Sequence, residues 1–155
     1  MGWAKIKKAI NSTLGTGEFQ PLDEIILGTK GLKASDNFYT QIYQGDAIRG
    51  SAEPNSKIMP VTLKMNWQGS FRLKVTSYKA NSGGNFSVLI NDVISTGFDS
   101  TYSSFGDTFI DVSFNKGDII KFKLTGTGNG FIYVNQISMY ADVVDLSAFE
   151  MYTEE

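Results

Sequence analysis

The clearest pattern in the chain lies between Asp107 and Val143. Ile110, Val112 and Phe114 alternate with Asp111 and Ser113, Asn115-Lys116-Gly117-Asp118 interrupts, and Ile120, Phe122 and Leu124 then alternate with Lys121 and Lys123. Gly126, Gly128 and Gly130 break the run again before a long stretch from Phe131 to Val143. Apolar residues at every second position between Gly/Asn clusters mark strands with one buried and one wetted face. This segment predicts three consecutive antiparallel strands of a β-sandwich, with the three glycines in a hairpin loop. Gly117 is expected in a turn geometry that a β-branched residue resists.

The same period recurs upstream. Phe71, Leu73 and Val75 point one way while Arg72, Lys74 and Thr76 point the other, and Asn81-Ser82-Gly83-Gly84 makes the next turn. Phe86, Val88 and Ile90 alternate inward. Asn91-Asp92 suits the positive-φ positions of a two-residue hairpin, returning residues 93–95 beside them. Val61, Leu63 and Met65 lie on one face of a strand predicted over 58–67. Residues 36–48 alternate poorly but are rich in β-formers. Residues 50–56 and 96–106 read as loops. The sum is an all-β, antiparallel, jelly-roll-like sandwich of about eight strands. No helix-length stretch separates the strands, which argues against parallel β-α-β units. Lys64, Lys74, Lys121 and Lys123 point outward, where they would discourage edge pairing.

The two ends depart from this pattern. Trp3, Ile6, Ile10 and either Thr13 or Leu14 follow helical spacing, with Lys5, Lys7 and Lys8 on the remaining surface and Gly15 as a stop. A helix this short needs something to pack on, either its own sandwich or a neighbouring subunit. Residues 15–32 form a connector with a short strand at 25–27, and Phe19, Pro21 and Leu22 are placed where it enters the domain. At the other end Asp142, Asp145, Glu150, Glu154 and Glu155 occur without Lys or Arg. Leu146, Phe149 and Tyr152 sit three apart, so this stretch reads as a frayed terminus or a short acidic helix. The division is therefore an arm over 1–33, a sandwich over 34–143 and an acidic tail over 144–155.

Composition narrows the chemistry. The 155 residues contain neither Cys nor His, which removes disulfides, thiol nucleophiles and the commonest general base and transition-metal ligand. A net charge of −2 gives no pull towards nucleic acid. No apolar run approaches the roughly 20 residues of a membrane helix, so no membrane insertion is expected. No signal peptide is recognisable, and the acceptor triplets at Asn11 and Asn85 carry no weight without one. The Gly126-x-Gly128-x-Gly130 spacing falls between strands and cannot aim helix amides at a pyrophosphate. Asp99, Asp107 and Asp111 are close in sequence, but nothing pairs them for glycoside hydrolysis. No catalytic residue, cofactor or metal ligand is assigned. Loop carboxylates could hold a calcium ion, though no spacing marks one. The remaining candidates are aromatic: Tyr43, Trp67, Tyr78, Phe98 and Tyr102, at strand ends or in loops, where exposed rings stack on sugars or enter interfaces.

Residues 4–27 resemble a segment found at the start of small tail-associated structural proteins of phages and prophages of Gram-positive bacteria. The likeness is carried by Asn11-Ser12-Thr13-Leu14-Gly15-Thr16 and then Phe19-x-Pro21-Leu22-Asp23. The remainder, with its Lys116-Gly117-Asp118 turn, resembles the sandwiches of virion appendages and carbohydrate-binding modules. The first likeness implies a non-enzymatic virion subunit, made in the host cytoplasm, that meets other virion proteins. It would assemble as a homo-oligomer, with a trimer favoured, through Trp3, Ile6, Ile10, Leu14, Phe19 and Leu22. The alternative is a module that binds host cell-surface glycan through the loop aromatics.

Overall fold

The computed structural model describes residues 31–143 and 145–153. The expected N-terminal helix, the strand at 25–27 and the proposed assembly residues Trp3 to Leu22 lie outside the described residues. What is described is all-β: two antiparallel sheets packed face to face as a sandwich. One sheet takes β2 (Phe38–Gly50), β10 (Phe131–Ala141) and β5 (Gln68–Ala80) side by side, and both β1 (Gly31–Leu32) and β8 (Gly106–Phe114) pair with β5. The other runs β11 (Phe149–Thr153), β4 (Val61–Met65), β9 (Ile119–Gly126), β6 (Gly84–Ile90), β7 (Val93–Asp99), and β3 (Lys57–Ile58) joins β9.

Period-two alternation does what it predicts. Phe71, Leu73, Val75, Phe86, Val88, Phe122, Leu124, Ile132 and Val134 are all fully buried between the sheets. Each such side chain contributes on the order of 1.5–3 kcal/mol on leaving water. The β6–β7 hairpin also forms as expected: Asn91 and Asp92 have φ of 54° and 69°, and Ile90 pairs with Val93.

Several expectations are corrected. There are eleven strands among the described residues, not about eight, because Met59-Pro60 divides the predicted 58–67 strand and both chain ends add strands. Residues 96–99 belong to β7 and pair with β6, so the predicted 96–106 loop is shorter. β8, β9 and β10 do not neighbour one another; they alternate between the sheets. The turns at Gly117 and at Gly126–Gly130 are therefore arches that cross the core, not hairpins. Within the acidic stretch, Phe149–Thr153 is a strand and not part of a helix: it pairs with β4 and buries Phe149. Asp145 initiates a 3-10 turn over Leu146–Ala148 by accepting from the Ser147 amide at 3.0 Å. Lys64, Lys74, Lys121 and Lys123 face outward on interior strands, so they do not guard an edge.

Candidate functional site

The outer face of the β2–β10–β5–β8 sheet gathers the chain's exposed aromatic and polar side chains into cross-strand rows. The alternation that buries Phe71, Leu73 and Val75 turns Arg72, Lys74, Thr76 and Tyr78 outward along β5. Pairing then fixes their neighbours. Tyr39, Tyr140, Arg72 and Asp111 form one row, and Gln41, Ser138, Lys74 and Phe109 the next. Gln136, Thr76 and Asp107 follow, and Arg49, Tyr133 and Tyr78 form the last. From Arg72 to Tyr78 the face runs ~20 Å along the strand.

Aromatic rings hold both ends. Tyr39 stacks on Tyr140 with centroids 5.4 Å apart and is 60% exposed, so its second face is open. Phe109 stands 53% exposed on β8. At the far end Tyr78 and Tyr133 stack at 4.5 Å with a 4° tilt, while Phe105 meets Tyr78 edge-on at 4.6 Å. That ring spacing matches the separation of adjacent strands. These rings therefore rise side by side from the sheet, with one face of Tyr78 covered by Tyr133 and Phe105 perpendicular beside it. This end offers ring edges and hydroxyls; Tyr39 and Phe109 offer ring surface.

Between the ends the face is polar. Arg72 donates to Asp111 Oδ1 at 2.7 Å and Oδ2 at 3.2 Å, and to Asp36 Oδ1 at 2.7 Å. This hydrogen bonding holds the Asp111 carboxyl below its ordinary range and raises the already basic Arg72. Thr76 Oγ1 donates to Asp107 at 2.7 Å. Lys74 lies 6.0 Å from the Tyr140 ring, and Arg49 covers Phe131 at 4.9 Å, both within cation–π range. Gln41 and Gln136 meet at 3.5 Å. Such a surface can stack on the apolar face of a sugar ring and hydrogen-bond its hydroxyls.

The sequence candidates scatter. Trp67 is not a surface ring: it is buried with 8% exposure at the β4–β5 turn, beside core residues. Phe98 packs on Phe86 at 5.2 Å on the opposite sheet. Tyr43 is half-buried against the core, and its hydroxyl donates to the Asp46 carbonyl at 2.6 Å. Burial and nearby Asp46 push that hydroxyl's pKa up. Tyr102 is exposed but turns its hydroxyl to the Asp107 carbonyl at 3.2 Å. Only Tyr78 joins the aromatic rows. Tyr39, Tyr133, Tyr140, Phe105 and Phe109 were missed. The parity of Tyr133 against Ile132 and Val134 was the signal available for it.

Asp107 and Asp111 share the face but stand four residues apart on one strand, ~13 Å, whereas glycosidase carboxylates lie about 5–10 Å apart. Asp99 is on β7 in the other sheet. Among the described residues no three Asp, Glu, His or Cys side chains converge as a metal site. No described helix is long and apolar enough to cross a membrane.

No family model and no curated protein matches the chain. Solved structures do. A family 35 carbohydrate binding module from an environmental isolate superposes with a TM-score of 0.52 at 12% identity, over 83% of this chain and 93% of the module. An insecticidal delta-endotoxin of Bacillus thuringiensis gives 0.50 at 13% identity, over 73% of this chain and 26% of the toxin. A family 36 carbohydrate-binding module in complex with calcium and xylotriose gives 0.48 at 15% identity, over 66% of this chain and 98% of the module. At these identities what the chain shares with the family 35 module and the endotoxin is the sandwich fold.

Proposed function

We propose that the protein is a non-catalytic glycan-binding module whose ligand lies across the outer face of the β2–β10–β5–β8 sheet. The observation that carries this is the row structure of that face: open rings at Tyr39 and Phe109, hydroxyls at Tyr78 and Tyr133, and amides and charges between. A face ~20 Å long suits an oligosaccharide better than a single sugar. The family 35 module named for carbohydrate binding has the same fold, which is consistent with the reading. The chain has neither His nor Cys, and the face carboxylates Asp107 and Asp111 stand farther apart than a glycosidase pair, which supports the non-catalytic reading.

In this reading Tyr39 stacks on a sugar ring, Gln41 and Gln136 bond hydroxyls, and Arg72 is held rigid by its two carboxylates so that the face is pre-organised. The virion setting implied by residues 4–27 concerns the arm and is compatible with it: an appendage subunit can present a glycan-binding face.

A glycan array separates these ideas. The full chain is expected to retain at least one oligosaccharide, and Tyr39→Ala to weaken that retention about tenfold, the size of a central interface contact. No retained glycan, or full retention by Tyr39→Ala, overturns the proposal. Deleting residues 2–16 should leave retention intact while abolishing incorporation into particles if the arm is a virion anchor.

A further inference from the structure

A second concavity adjoins the Arg49 end of this face. A cleft of about 830 Å³ opens where the end of β2 meets β3, a volume in the range of small-molecule sites. Ile48 and Pro60 supply apolar wall, Ser51 and Asn55 polar rim, and Arg49 and Lys57 two cations. Among the described residues no carboxylate lines it. Glu53, from the loop that forms one wall, accepts from Ser56 Oγ of the lining at 2.7 Å, and its charge is met by Lys123 Nζ at 2.8 Å. The described lining is therefore a local excess of positive charge on a protein whose net charge is −2.

The cleft is also held in shape. Its loop closes on itself through Asn55 N to Ala52 O at 2.8 Å and Ser51 N to Asn55 O at 3.3 Å. Gly50 lies so close to β9 that a Cβ there would come within 2.4 Å of Leu124. On the opposite wall β3 pairs with β9, and Met59 N donates to Phe122 O at 2.8 Å. Both walls are thus fixed by backbone contacts.

We propose that this cleft is a separate binding site for an anionic sugar, with Arg49 and Lys57 holding its charged group and the Ser51–Asn55 rim its hydroxyls. The shared ligand chemistry is a carboxylate or a phosphate on a hydroxyl-bearing ring. It does not rest on the glycan reading of the sheet face.

The test is titration of the full chain, followed by NMR, with glucuronate, glucose 1-phosphate and glucose. At least one anion is expected to bind and glucose not to, and the anion that binds distinguishes carboxylate from phosphate. Arg49→Gln/Lys57→Gln should weaken binding by about tenfold or more, the effect of losing a charge-assisted hydrogen bond. Lys57→Gln alone should weaken it in the same direction. Lys64→Gln on the other sheet, and Tyr39→Ala on the aromatic face, should leave it unchanged, so this proposal and the previous one fail separately. Binding of neither anion, equal binding of glucose, or unaltered binding by the double variant overturns it.

Discussion

Arg72 commits its guanidinium to Asp111 and Asp36, and Asp107 is met by Thr76. That leaves Lys74, which lies against the Tyr140 ring, as a cation that the sheet face can direct at a ligand, while Arg49, over Phe131, stands where the face meets the second cleft. Residue type alone does not reveal such assignments. Trp67 and Tyr39 are both aromatic and both near strand ends, yet one fills the core and the other faces water. The difference lies in which side of the sheet each backbone position presents. Trp67→Ala should accordingly act on stability, costing about 3–5 kcal/mol as large aromatic deletions in cores do. Urea unfolding measures this. A variant with an unchanged midpoint and lost glycan retention would return Trp67 to the binding surface.

At the scale of elements, alternation was readable wherever one face is buried, and it placed Phe71–Val75, Phe86–Val88 and Ile120–Leu124 correctly. Pairing partners were not readable, because a hairpin and an arch have the same period on both sides of the turn. Gly117 illustrates this. Its φ of +93° needs glycine, but the turn it occupies carries the chain from one sheet to the other. Asp118 Oδ2 accepts from the Asn115 amide at 2.8 Å, and Asn91 Nδ2 donates to Asp118 Oδ1 at 3.0 Å. The arch is thereby tied to the β6–β7 turn. A Cβ at Gly117 meets no neighbour within 4 Å, so only backbone strain opposes substitution. Gly117→Val should destabilise by about 1–2 kcal/mol, read as a lower urea midpoint with an unchanged slope. A neutral effect would show that the arch relaxes freely. The edge strand at Phe149–Thr153 was hidden for another reason: the acidic residues around it, Asp142, Asp145, Glu154 and Glu155, make the stretch resemble a solvated tail, and only pairing with β4 makes it a strand.

For the whole molecule, the all-β sandwich was legible in periodicity and in turn residues, whereas the binding face was not. It is assembled from four strands that are distant in sequence, with β2 against β10 and β10 against β5. Side chains as far apart as Tyr39 and Tyr140 meet only after the sheets form. Such long-range pairing leaves no local spacing to recognise. The account makes one demand of this architecture: the ligand must contact the outer face of that sheet and not the core, the arches or the opposite sheet. Mapping aromatic and amide NMR shifts during titration with an oligosaccharide retained on the array tests this directly. The account predicts shifts at Tyr39, Phe109, Tyr133 and Tyr140, with residues 93–99 of β7 unmoved. Shifts confined to the opposite sheet, or none at any of these rings while the sugar binds, would contradict it.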